Sequence, residues 1–186
     1  MTIRCEDIMA LIDSVGDEAI ARKRILEKEY VKATGNECDL PLNWYRNRKN
    51  SDLKDAFTLD GIKRGFSVRA EKTMGALPEY CSVKDQEKCN RFDLSWEKHK
   101  NSRDFSLAIE IEMDINVDSI MRDFNKLINN PSDCLKVMIC QAKHEEQIVQ
   151  YCNAVEVALS ACPAKAGSYM LSIWAWSRGG FVHYQY

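Results

Sequence analysis

The sequence lacks the apolar segments that mark membrane and secreted proteins. No apolar stretch approaches the roughly 20 residues of a membrane-spanning helix. The first 17 residues, MTIRCEDIMALIDSVGD, are interrupted by charges, whereas a secretory signal has a continuous apolar centre. We therefore expect a cytoplasmic protein that does not bind membranes.

Motifs built on glycine, cysteine or histidine are also missing. The chain has no P-loop and no G-x-G-x-x-G, so a nucleotide site would lack its usual phosphate cradle. The eight cysteines include no C-x-x-C pair, and most lie in apolar segments. This pattern favours buried free thiols over a disulfide framework or a zinc site. The three histidines stand at unrelated spacings and indicate no catalytic arrangement.

The composition is that of a globular domain without an excess of charge. The 186 residues are 45% hydrophobic and 29% charged, and the net charge is −2. This charge argues against coating nucleic acid by bulk electrostatics but leaves room for a local basic surface. We predict one domain over residues 1–186, with a helical N-terminal part over 1–60 and a core over about 66–176.

The N-terminal third is predicted to be two helices followed by a loop. Apolar spacing indicates helices over 2–15 and 17–33, and the polar stretch 36–65 indicates a loop or insertion with a short helix at 51–57. The segments NWYRNRKN and IKRG in this stretch mix basic and aromatic residues that suit phosphate contacts and base stacking. A solvated basic loop is the alternative. The candidate DNA-binding residues are Trp44, Arg46, Arg48, Lys49, Lys63 and Arg64.

The remainder predicts a mixed sheet flanked by helices. Strand patterns occur at 66–70, 91–96, 105–113, 135–140 and 168–176, with helical patterns from Val117 to Asn129 and over 144–160. The strand, helix and strand from 105 to 140 form a β-α-β unit, whose strands are parallel. Arg178-Gly179-Gly180 predicts a turn into a short last strand. The fold class is therefore an α/β sandwich.

Two glutamates stand one residue apart in the clearest strand, FSLAIEIEMD. Glu110 and Glu112 share one side of the alternation, about 6.5–7 Å apart along the chain. Two such carboxylates repel unless a cation compensates them, and Mg²⁺ uses one or two protein carboxylates while it keeps several waters. Asp93 lies 17 positions before Glu110, where a hairpin would place it alongside. Outward charges that protect a sheet edge are the alternative.

Asp93, then Glu110-Ile111-Glu112 in LAIEIE, then the helix SIMRDFNKLI with Arg122-Asp123, and the strand LKVMIC together resemble the PD-(D/E)XK nuclease superfamily. The likeness covers about 91–141. It is greatest to type II restriction endonucleases of the BamHI-like kind, in which Glu replaces the Lys of the third motif position.

The resemblance implies a restriction-endonuclease-like sandwich and a Mg²⁺- or Mn²⁺-dependent endodeoxyribonuclease, such as a restriction or defence enzyme. Asp93, Glu110 and the main-chain carbonyl of Ile111 would bind the metal, and Glu112 would orient or deprotonate the attacking water. The substrate would be double-stranded DNA. Symmetric cleavage of both strands would make the protein a homodimer.

The sequence departs from the family pattern at two positions. No proline precedes Asp93, and no lysine stands at position 112. Lys126 or Lys143 could supply the missing basic group, although a solvated surface lysine is the alternative for each. A catalytically inactive nucleic-acid- or protein-binding module on the same fold therefore stays open. A third interpretation treats the acids as surface charge on a structural or assembly protein with an exposed Trp-rich C-terminal hairpin. Separately, Trp174 and Trp176 share one face of the last strand and are predicted to be core or interface residues.

Overall fold

A six-stranded sheet with helices on both faces forms the centre of the molecule. The computed structural model describes residues 3–35, 43–70, 92–100, 102, 104–163 and 165–186, with backbone alone at 43–48. No helix within these ranges combines the length and the apolar character needed to cross a membrane. In chain order the elements are α1 (Cys5–Thr34), α2 (Asn43–Lys63), β1 (Ser67–Ala70), β2 (Leu94–Glu97), β3 (Phe105–Ile111), α3 (Val117–Ile128), β4 (Leu135–Ala142), α4 (Glu145–Ala161), β5 (Ser168–Ala175) and β6 (Gly180–Gln185).

The strands lie side by side in the order in which they occur in the chain. β1, β2 and β3 pair antiparallel, β3, β4 and β5 pair parallel, and β6 returns antiparallel to β5. The parallel pairing of β3 with β4 across α3 confirms the predicted β-α-β unit. The mixed sheet with flanking helices confirms the predicted α/β class.

Each face of the sheet has its own apolar core. One core joins α1 and α2 to inward residues of the strands, among them Leu107 and Ile109 of β3. The other joins α3 and α4 to the opposite residues, among them Ala108. This alternation along β3 directs Glu110 toward the face that α3 covers. The sheet thus places the carboxyl group of Glu110 beneath α3.

α1 is a single helix, and the predicted break between residues 15 and 17 is wrong. Gly16 lies inside α1 and is buried. A Cβ atom on Gly16 would lie 3.0 Å from the ring of Trp174 and 3.1 Å from that of Phe181. The glycine therefore allows the helix to approach the sheet closely and does not end it.

α2 replaces the loop predicted over most of residues 36–65. The helix buries a narrow stripe that includes Leu53 and Phe57, and most of its other positions are polar. Such a narrow stripe gives a weak helical period in the sequence. The segment 43–50, interpreted above as a basic loop, therefore belongs to the first turns of a helix.

The C-terminal strands agree with their prediction. Gly179 adopts a left-handed backbone conformation, with φ of 63°, in the turn between β5 and β6. Trp174 is buried against α1 and contacts Phe181 edge to face. The expectation that Trp174 is a core residue is confirmed.

Candidate functional site

Asp93 and Glu110 meet at the adjoining ends of β2 and β3. The antiparallel register pairs Leu94 with Ile109, so the next positions are Asp93 and Glu110. The backbone N–H of Ile111 donates a hydrogen bond of 2.8 Å to Asp93 Oδ2. The structure thus brings these two acids together, as the hairpin argument predicts.

Glu110 is a buried carboxyl group with an unsatisfied oxygen. Its exposed fraction is 2%, and Oε1 has no hydrogen-bond partner among the described residues. Burial raises the pKa of Glu110 to about 9, and the charges of Asp93 and Asp123 add to this effect while Lys126 opposes it. Glu110 is therefore protonated at neutral pH in the metal-free protein.

Lys126 connects α3 to this carboxyl group. Its Nζ lies 3.5 Å from Glu110 Oε2 and 2.7 Å from Asp123 Oδ1. Asp123 precedes Lys126 by three residues, so both side chains lie on one face of α3. Of the two lysines considered from sequence, Lys126 reaches the acids, whereas Lys143 is exposed just beyond β4.

Lys54 approaches Asp93 from α2, on the opposite side of the sheet from α3. This residue of α2 is 6% exposed, and its Nζ lies 2.9 Å from Asp93 Oδ1. Sequence reasoning missed it, because Lys54 stands 39 positions before Asp93, and the short helix predicted at 51–57 gave no indication of where it packs. We call the five residues Asp93, Glu110, Asp123, Lys54 and Lys126 the acid cluster.

Glu112 does not join the two acids, which corrects the predicted three-acid site. β3 ends at Ile111, and the backbone N–H of Glu112 donates a last hydrogen bond of 2.9 Å to the carbonyl of Ile139 in β4. Its Oε1 accepts a hydrogen bond of 2.8 Å from the backbone N–H of Asp114. Within the described ranges, no three Asp, Glu, His or Cys side chains form a group that could hold a metal ion.

A smaller donor set still suits a hard divalent cation. Mg²⁺ needs only one or two protein carboxylates and fills its other positions with water. Asp93 and Glu110 provide two carboxylates, and the carbonyl of Ile111 follows directly in the chain. The unsatisfied Oε1 of Glu110 lies in the buried part of this set. These donors fit Mg²⁺ or Mn²⁺, whose bound form would activate a water and polarise a phosphodiester.

Lys49 has a different environment from the one expected of a DNA-binding loop. Its exposed fraction is 8%, and its Nζ lies 3.8 Å from the centre of the Trp174 ring and 5.9 Å from that of Trp176. The ammonium group is attracted to these ring faces. Lys49 thus contacts the protein interior, and its prediction as an open-loop DNA contact is wrong.

The other candidate DNA-binding residues lie along α2 or just after it. Arg64 is held by Asp60 at 2.8 Å and by Asp7 at 3.4 Å, and Lys63 is exposed at the end of α2. Three further candidates have their backbone in the first turns of α2, but their side chains lie outside the described part of the structure: Trp44, Arg46 and Arg48.

A Ser-His-Asp chain that the sequence did not reveal joins β5, β6 and α1. Ser172 Oγ lies 2.9 Å from His183 Nδ1, and His183 Nε2 lies 3.1 Å from Asp13 Oδ1. Ser172 has no exposed surface, so no substrate reaches its hydroxyl. These hydrogen bonds connect α1 to the sheet, and the three residues do not form a nucleophilic site.

Comparisons with known proteins give no relative for this fold or site. No protein-family model, curated protein or solved structure matches the chain. A function has to be inferred from the acid cluster and its surroundings.

Proposed function

We propose that the chain is a metal-dependent endodeoxyribonuclease that hydrolyses phosphodiesters at the acid cluster. The observation that carries this proposal is the buried Glu110 Oε1, which lies beside a second carboxylate and has no hydrogen-bond partner in the described part of the structure. A buried polar atom without a partner is costly. A divalent cation held by Asp93 and Glu110 would displace the proton of Glu110 to solvent, give this oxygen a ligand and compensate both carboxylate charges.

In this proposal Lys126 supplies the positive charge that position 112 lacks. Bound Mg²⁺ or Mn²⁺ would supply an activated water and stabilise the departing oxygen. Lys126 is partly exposed, with 45% of its side chain accessible, so its ammonium can meet a phosphate that approaches from solvent. Asp123 holds Lys126 in place at 2.7 Å. Lys126 therefore takes the part proposed for the missing motif lysine.

The order of the strands and of α3 supports this proposal. Two acids lie at adjoining ends of an antiparallel strand pair, and α3 then crosses to a parallel strand. A restriction-endonuclease-like sandwich is part of this proposal. So is double-stranded DNA as substrate, for which the first turns of α2 and the exposed Lys63 offer basic residues. Symmetric cleavage of both strands would require a homodimer.

Nicking of a supercoiled plasmid tests the proposal. With Mg²⁺ or Mn²⁺ the wild type should nick, and Asp93→Asn and Glu110→Gln should each be slower by about 100-fold or more, the scale of losing several kcal/mol of metal-based stabilisation. Glu156→Gln is the matched control, because Glu156 is exposed on α4, and it should nick like the wild type. Equal rates for the two acid variants and the wild type would contradict the proposal.

A catalytically inactive binding module on this fold is the second candidate. The observation that favours it is that both Asp93 oxygens already have protein partners, Lys54 for Oδ1 and the N–H of Ile111 for Oδ2. Such a module would retain plasmid DNA in a mobility assay without cutting it in either metal. Retention that is the same in wild type and Glu110→Gln, without nicking, would support this candidate.

A further inference from the structure

Lys54 brings a positive charge to the acid cluster from α2, which lies on the opposite face of the sheet from α3. Its Nζ lies 2.9 Å from Asp93 Oδ1, and little of either side chain is accessible, 7% for Lys54 and 16% for Asp93. An ion pair this far from water is screened much less than a surface pair. Lys54 therefore compensates the charge of Asp93 in the metal-free protein.

The position of Lys54 conflicts with a metal ion on the same carboxylate. Asp93 Oδ2 accepts a hydrogen bond from the backbone N–H of Ile111, and Asp93 Oδ1 accepts one from Lys54 Nζ. A divalent cation on Asp93 would have to share or take one of these oxygens. Two cations close together in a buried site repel strongly, whereas the backbone N–H carries no net charge. The ammonium is thus the partner that a metal ion would displace.

We propose that the Lys54 ammonium is the resident counter-ion of the acid cluster and competes with a divalent cation for Asp93. This inference rests on the proposed function, since it takes Asp93 as a metal ligand. It also has a consequence for α2. When the ammonium leaves Asp93, α2 loses an ion pair that holds it against β2, so metal binding is coupled to the helix that carries the proposed DNA-contacting residues.

Titration of the full-length chain with Mn²⁺ tests the competition without any activity assay. Isothermal titration calorimetry should show that Lys54→Met binds Mn²⁺ at least about tenfold more tightly than the wild type, which is about 1.4 kcal/mol. Lys54→Arg keeps the charge and should bind like the wild type. Lys165→Met, at an exposed lysine, is the matched control for loss of one positive charge and should also bind like the wild type.

The outcomes separate this inference from the proposed function. Equal or weaker Mn²⁺ binding by Lys54→Met, with clear binding by the wild type, overturns the competition and leaves the metal site standing. Absence of binding in both proteins overturns both proposals. If Lys54→Met unfolds, Lys54→Gln serves instead, because its amide can still donate a hydrogen bond to Asp93 without a charge. Asp93→Asn should abolish binding in every background.

Discussion

Replacement of Glu110 by glutamine should stabilise the metal-free protein, by an amount that depends on pH. The pKa of Glu110 is raised from its ordinary 4.5 to about 9 by burial and then by Asp93. Between these values the unfolded chain loses a proton that the folded protein keeps, so stability falls by about 1.4 kcal/mol per pH unit as the pH rises. At pH 7 this loss is about 3 kcal/mol. Glu110→Gln is neutral throughout and avoids the loss.

Urea unfolding in the presence of EDTA, at pH 5 and at pH 7, measures the effect. The stability advantage of Glu110→Gln over wild type should grow by about 2 to 3 kcal/mol between these two pH values. Glu156→Gln should differ from wild type by no more than about 0.5 kcal/mol at both, as for an ordinary surface substitution. If the difference in free energy of unfolding between wild type and Glu110→Gln is the same at both pH values, the buried, protonated state of Glu110 is refuted.

Two further substitutions, Gly167→Ala and Lys136→Met, test the packing where β4 and β5 begin, with Gly35→Ala as a control. Gly167→Ala should destabilise by about 3 kcal/mol or more in a thermal melt, because its Cβ would lie within contact of the Cys134 carbonyl. Gly35→Ala has the same left-handed conformation but open space and should cost only about 1 to 2 kcal/mol; equal losses would contradict the clash. Lys136→Met should cost about 2 to 4 kcal/mol in urea, because the buried ammonium donates to the carbonyl of Asn130 at 2.7 Å; a neutral result would contradict this.

The central part of the fold was predictable because its periods are regular. Strict alternation over 105–111 and helical spacing from Val117 to Ile128 identify β3 and α3, and Asn129-Asn130-Pro131 marks the end of the helix. Each pattern depends on residues close together in sequence. The antiparallel pairing of β2 with β3 was also predictable, since only a short polar turn separates these two segments in the sequence. The proximity of Asp93 and Glu110 could therefore be predicted from the sequence.

The remainder depends on contacts between residues distant in the chain. α2 buries too few apolar residues to show a clear period, so only the short helix at 51–57 was predicted within it. That helix contains Lys54, but its contact with Asp93 is long-range and was not predicted. The helical spacing of Lys126 and Asp123 was visible, but their approach to Glu110 depends on how α3 packs on the sheet. Glu112 was assigned to the site because the strand was predicted to run to Met113, two residues beyond Ile111, where β3 ends.

A crystal structure of the protein soaked in Mn²⁺, with anomalous scattering used to locate the ion, tests the central claim most directly. We predict one strong anomalous peak between the carboxylates of Asp93 and Glu110, within bonding distance of an oxygen of each. Lys54 Nζ should have moved away from Asp93 Oδ1. No peak between these two carboxylates, with Lys54 still paired to Asp93, would contradict the metal-dependent nuclease.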